Sequence, residues 1–138
     1  MSAYADTSFL VSLYTPDAYS VIAASRMQRH RASLYLTPLG ELELTNALEL
    51  RVYRKELTAA EVGAACRAFQ EDLDSGVFSL KPIPPAVYER ARQMARRRTS
   101  QLGARTLDIL HVASALVLRA DVFYTFDRRQ RDLAGAEG

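Results

Sequence analysis

The chain is short of cysteine, lysine and histidine and has no long apolar run, and each shortage removes a class of protein. A single cysteine, Cys66, excludes an intrachain disulfide and a cysteine-rich zinc site. No apolar stretch approaches the twenty or so residues that a bilayer-spanning helix needs. The opening Met1-Ser2-Ala3-Tyr4-Ala5-Asp6 lacks a basic segment followed by an apolar one, so no secretory signal is expected there. Together these absences point to a cytoplasmic protein without membrane association. Internal repeats, low-complexity tracts and linkers are also absent, which favours one domain over residues 1–138. Only two histidines are present, His30 within Arg29-His30-Arg31 and His111 on an apolar helical stretch. His111 reads as a packing residue rather than a ligand, and Cys66 falls on an apolar stripe and reads as core.

What is present is an ordinary apolar fraction, 49%, and a net charge of +2 from 18 basic and 16 acidic residues. If four of the acids share one pocket, the rest of the chain carries 18 basic against 12 acidic residues. Lysine occurs only at Lys55 and Lys81, so nearly all the positive charge is arginine. Guanidinium groups pair with phosphate through a planar fork and stack on bases, which suits a nucleic-acid partner. A GC-rich genome would produce the same bias, and Arg96-Arg97-Arg98 also fits a solvated run at a helix C-terminus.

Strand and helix patterns alternate along the chain. Ala3–Ala5 is a short apolar strand ending at Asp6, and Thr7–Tyr14 a helix. Pro16-Asp17 is expected to open a helix to about Arg31, followed by a strand at Ser33–Leu36. A helix then starts at Pro38 and runs to about Lys55. Thr58 and Glu61 have the spacing of a capping box, opening a helix with Val62, Cys66, Phe69 and Leu73 on one face and Gly76 at its end. Val77–Leu80 is a strand. Pro-Ile-Pro-Pro at 82–85 leads into a helix over Ala86–Arg98, with Val87, Ala91 and Met94 inward. Thr106 is expected to cap a central helix over Leu107–Arg119. Asp121–Thr125 is a strand, and Asp127–Leu133 a last helix. Such alternation implies right-handed crossovers and a mostly parallel sheet in a three-layer α/β/α sandwich. Ligands of such sheets bind at the carboxyl ends of the strands.

Four acids from distant segments fall at that rim. Asp6 and Asp127 each follow a strand. Glu43 lies in the first turns of the helix after the second strand, and Asp108 in the first turn of the central helix. Crowded carboxylates repel one another and raise each other's pKa unless a cation sits among them. Magnesium and manganese take oxygen ligands and keep several waters, and a pair of such ions can clamp both oxygens of a phosphodiester displacement. Each acid also has a plainer use. Asp6 and Asp127 suit helix caps, Asp108 suits a helix N-terminus, and Glu43 suits a solvated face beside Glu41 and Glu49. Their joint placement, with Asn46 one turn from Glu43, carries the case for a site.

The stretches Tyr4-Ala5-Asp6-Thr7-Ser8, Glu43-Leu44-Thr45-Asn46-Ala47-Leu48, Leu107-Asp108-Ile109-Leu110-His111-Val112-Ala113-Ser114-Ala115 and Tyr124-Thr125-Phe126-Asp127 resemble the four acidic motifs of PIN domains, most of all those of VapC-type toxins. The resemblance spans nearly the whole chain in order. It implies a compact α/β/α sandwich and a magnesium- or manganese-dependent endoribonuclease acting on RNA. It further implies that Asp6, Glu43, Asp108 and Asp127 are catalytic metal ligands or hold metal-bound water. Ser8 and Thr125 would be supporting hydroxyls and Asn46 an orienting amide. It also implies a homodimer and a small antitoxin that blocks the cleft. Two features depart from the family pattern. No final strand is visible after the fourth motif, in Leu133–Gly138, and Ile109 stands where alanine is common.

Other functions fit parts of this pattern. A housekeeping RNA-processing nuclease of the same family would need no antitoxin. A PIN-like module could bind RNA or protein without cutting. A phosphoacceptor signalling domain also gathers acids and magnesium at a parallel-sheet rim, and Lys81-Pro82 resembles its late Lys-Pro. The two acidic motifs that follow position 82 speak against it.

Overall fold

The computed structural model describes all 138 residues. Four three-residue strands, β1 Ala3–Ala5, β2 Leu34–Leu36, β3 Phe78–Leu80 and β4 Val122–Tyr124, form one sheet in the order β3-β2-β1-β4. All three pairings are parallel, with Tyr4 opposite Tyr35 and Phe123, and Tyr35 opposite Ser79. Helices α1 Thr7–Tyr14, α2 Ser20–Arg29, α3 Pro38–Tyr53 and α4 Ala59–Asp74 occupy the first part of the chain. Then come α5 Ala86–Met94, a π turn at Ala95–Thr99, the single turn α6 Ser100–Leu102, α7 Thr106–Val117 and α8 Arg128–Glu137.

A strand in a covered sheet presents alternate side chains to opposite layers. Ala3, Ala5, Leu34, Leu36 and Phe78 enter one core with Phe9, Leu10, Leu44, Leu48, Val62 and Phe69, beneath α1, α3 and α4. Tyr4 points the other way, stacking on Phe123 and meeting the His111 ring edge-on. On that side Val87, Ala91, Met94, Ile109, Val112, Ala113 and Leu133 form the second core under α5, α7 and α8. The architecture is therefore the expected three-layer α/β/α sandwich, its sheet wholly parallel.

Local chemistry explains the element boundaries. Asp6, Thr37 and Asp127 cap α1, α3 and α8, each accepting a main-chain N–H from the first turn, and Pro38 takes the first position of α3. The Thr58–Glu61 capping box forms in both directions. Three strands thus pass almost directly into capped helices, so the N-termini of α1, α3 and α8 stand at the carboxyl edge of the sheet.

Several boundaries differ from the sequence expectation. Helix α2 starts at Ser20, not Pro16, because the Asp17 carboxylate accepts the Tyr19 N–H at 2.8 Å and the Asp17 N–H donates to Ser20 Oγ at 2.8 Å. Those bonds favour a turn over a helix. Thr106 is the first residue of α7 rather than its cap; Arg105 holds the cap position without a side-chain capping bond. The helix from Ala86 does not run evenly to Arg98 but widens into the π turn and stops at Gly103, whose φ of 65° suits glycine. Helix α8 continues past Leu133, and residues 134–137 are helical. No helix is long and apolar enough to cross a membrane.

Candidate active site

Asp6 leaves β1 and is completely buried. Its Oδ1 accepts the Ser8 hydroxyl at 2.7 Å and the Phe9 amide at 3.0 Å, while Oδ2 accepts the Thr125 hydroxyl at 2.5 Å. The capping role and a place at the rim therefore coexist in one side chain. Burial lifts the Asp6 carboxyl above its ordinary pKa, opposed by the hydrogen bonds from Thr125, Ser8 and Phe9. The two hydroxyls also tie β1 to the segment after β4. Thr125 Oγ1 accepts the Asp127 amide at 2.9 Å, and Ser8 Oγ accepts the Phe126 amide at 2.9 Å.

Glu43, one turn into α3, accepts the Thr7 hydroxyl at 2.9 Å and pairs with His111 Nε2. On its other edge, His111 Nδ1 meets the Tyr4 hydroxyl at 2.7 Å. A ring protonated at Nε2 satisfies both contacts, donating to Glu43 and accepting from Tyr4. Burial would raise the Glu43 carboxyl, but the His111 and Thr7 hydrogen bonds and the charge of Arg105 bring it below its ordinary value.

Asp108, in the first turn of α7, is buried and accepts Arg105 Nε at 3.1 Å. The same guanidinium reaches Asp127 with Nη2 at 3.6 Å. Asp127 uses its other oxygen to cap α8, accepting the Arg129 and Gln130 amides at 2.8 and 3.2 Å. The hydrogen bond to Asp108 and the charges of Asp108, Asp127 and Glu43 hold Arg105 more firmly protonated than usual.

The four acids are thus linked in one network: Asp6 to the Asp127 backbone through Thr125, Asp127 to Asp108 through Arg105, and Glu43 to α7 through His111. Ser8 and Thr125 lie within it. Asn46 does not; it is exposed and makes no hydrogen bond to the acids. Lys81 sits with its ammonium 5.1 Å from the centre of the Tyr35 ring, on the far side of the sheet from β4. Arg105, His111 and Thr7 were not recognisable as partners from single positions. The available signal was helical spacing, since Arg105 and His111 stand three residues either side of Asp108.

No three of these carboxylate and imidazole groups stand together in metal-binding geometry. The chemistry of the donor set nevertheless fits a hard divalent ion, because the unshared acceptors are carboxylate oxygens. The one positive group that bridges two of the acids is Arg105, whose side chain is 61% exposed. The guanidinium supplies the positive charge between these two acids.

Fold and rim together define an α/β protein with a cluster of acidic side chains at the carboxyl edge of a parallel sheet. The PIN domain profile matches residues 3–136, and the chain belongs to the PIN domain family. No curated protein matches it. Among solved structures it is similar to Mycobacterium tuberculosis VapC20, described as a toxin that cleaves the sarcin–ricin loop. That likeness has a TM-score of 0.74 at 19% identity and covers 97% of this chain and 94% of the other. It is also similar to PAE2754 from Pyrobaculum aerophilum, with a TM-score of 0.62 at 21% identity over 96% of this chain and 84% of that one. At these identities the likeness is one of fold. Family membership sets aside the phosphoacceptor alternative, with which the Lys81–Tyr35 contact also disagrees.

Proposed function

We propose that this chain, over residues 1–138, is a magnesium- or manganese-dependent endoribonuclease and the toxin of a toxin–antitoxin pair. PIN membership supports a nuclease, and the fold shared with a toxin that cuts an RNA loop supports the finer description. One observation carries the proposal: a single guanidinium bridges Asp108 and Asp127, two acids that nineteen residues separate in sequence. A buried acid beside a partly buried one, both needing a counter-charge at a ligand-binding rim, is what a hard cation would occupy.

Asp6, Glu43, Asp108 and Asp127 would hold the ion directly or through its water. Such an ion, when bound, supplies charge neutralisation at the scissile phosphate and a more acidic attacking water. The chain's own residues do the positioning. Ser8 and Thr125 fix both oxygens of Asp6. Thr7 and His111 fix Glu43, and Tyr4 fixes the His111 ring. Arg105, once released from the two carboxylates, stands where it can meet a phosphate oxygen. Partners on this reading are RNA, a second copy of the chain and a small antitoxin protein, in the cytoplasm.

The test is cleavage of RNA by purified protein with magnesium or manganese and with EDTA. Cleavage only in the presence of the ion is expected, and undiminished cleavage in EDTA would remove the ion from the mechanism. Asp6→Asn and Asp108→Asn should each lower cleavage by about a hundredfold or more with the circular dichroism spectrum unchanged, since shape is kept and charge is lost. A fully active Asp6→Asn protein would take that residue out of the site.

A further inference from the structure

Three aromatic rings form a column beside the acids. Phe9 is buried in the core, Phe126 lies against it at 5.6 Å with 20° between ring planes, and Tyr19 covers Phe126 at 4.7 Å and 13°. Tyr19, the outermost ring, is 48% exposed. Phe126 lies between Thr125 and Asp127, and its amide donates to the hydroxyl of Ser8 that also holds Asp6. The loop bearing Tyr19 is pinned as well. Its amide donates to the Asp17 carboxylate at 2.8 Å, which in turn accepts the Ser12 hydroxyl at 2.8 Å.

Two cavities meet at this column. One, of about 400 Å³, includes Thr7, Ser8, Arg51 and Arg54 in its lining. The other, of about 310 Å³, includes Thr125, Asp127, Arg128 and Arg131. Tyr19 and Phe126 line both. Each cavity therefore contains residues that anchor the acids and carries its own arginine pair. Arg54 and Arg128 are exposed and form no ion pair, whereas Arg51 and Arg131 have only loose carboxylate neighbours at 3.9 and 3.5 Å.

We propose that Tyr19 is a stacking platform for one unpaired base of single-stranded RNA. The adjoining phosphates would meet Arg51 and Arg54 on one side and Arg128 and Arg131 on the other. The proposal rests on the nuclease reading above and assigns Tyr19 as a residue that positions its substrate. Charge favours a polyanion as occupant, and the open face of the Tyr19 ring favours RNA among polyanions. The free charges flanking the ring are guanidinium groups, while the nearby Asp17 is spent on internal hydrogen bonds. Aromatic rings backed by rigid neighbours bind bases by their faces, whatever the base. A double helix cannot offer such a face, because its bases are stacked inside and its narrow major groove shuts out side chains.

The experiment is fluorescence anisotropy in EDTA with a short labelled single-stranded RNA of mixed sequence and with its duplex. Manganese-dependent cleavage kinetics on the same strand give a second readout. Tyr19→Ala should weaken single-strand binding, or raise KM at little-changed kcat, by about tenfold. Tyr19→Phe, which keeps the ring, should stay within about twofold of the parent. Duplex binding should be weaker and indifferent to both variants. Wild-type affinity and KM in Tyr19→Ala would overturn the platform while leaving a manganese-dependent nuclease standing. A Tyr19→Ala protein that handles RNA normally but no longer associates with a co-expressed protein partner would assign the surface to that partner and overturn the proposal. Wild-type protein that neither binds nor cuts RNA would remove both the platform and the nuclease reading.

Discussion

At the scale of single residues, the candidate site is a set of carboxylates whose surroundings differ. Asp6 is sealed in and hydrogen-bonded at both oxygens, Glu43 pairs with a histidine, and Asp108 and Asp127 share an arginine. The acids stand out in the sequence as candidates because each sits at a strand end or a helix start. Their partners do not, because a hydrogen bond between positions 43 and 111 leaves no trace in local pattern. Arg105 is the most informative of the unforeseen residues. If it serves as the counter-charge in the ion-free protein, Arg105→Ala should lower the melting temperature in EDTA by a few degrees. Manganese should then raise it by more than in the parent, since no guanidinium has to leave. Thermal melts of both proteins with and without the ion check this, and an equal manganese response in the two would remove Arg105 from that role.

At the scale of elements, the last helix shows how tertiary contacts move a boundary. Nothing in Leu133–Gly138 marks a strong helix, and the sequence expectation stopped at Leu133. The structure carries α8 on because Glu137 accepts Arg97 at 2.6 Å and Arg98 at 2.8 Å, from the π turn forty residues earlier in the chain. The π turn in turn swings those arginines toward α8, a role that Arg96-Arg97-Arg98 read as a solvated run did not suggest. Burial would raise the Glu137 carboxyl, yet the Arg98 and Arg97 hydrogen bonds and charges hold it below its ordinary value. A carboxyl depressed on folding adds stability above its unfolded pKa, about 4.3 for glutamate, and loses it as pH falls through the lower folded value. Glu137→Gln should therefore cost about 1–3 kcal/mol at neutral pH. The gap from the parent should narrow below about pH 4 and close at more acidic pH. Urea denaturation across that range measures it, and a gap independent of pH would show that charge is not what Glu137 contributes.

At the scale of the whole molecule, a net charge of +2 conceals a separation of sign. Acids gather at the carboxyl edge of the sheet, and arginines such as Arg54 and Arg128 stand around them on the surface. If the rim holds single-stranded RNA, binding releases counterions, so affinity should fall steeply and linearly in a plot of log K against log salt, by about 0.7 of a unit of slope per phosphate contacted. Titrations at several salt concentrations test this, and a flat response would point to a substrate that is not a nucleic acid.

Composition and periodicity by themselves determined the layer architecture and the element order. They also determined the inward faces of α4 and α5, where Val62, Phe69, Val87, Ala91 and Met94 are buried as their spacing requires. These are consequences of apolar side chains recurring at the period of the backbone, which is local information. Tertiary structure alone decided that Arg105 bridges two acids, that His111 joins Tyr4 to Glu43, and that Tyr19 caps a column of rings. It also decided that α8 reaches Glu137. Each of these depends on side chains brought together across the sheet or around a turn. Such contacts exist only once the chain has closed on itself, so no window of sequence contains them.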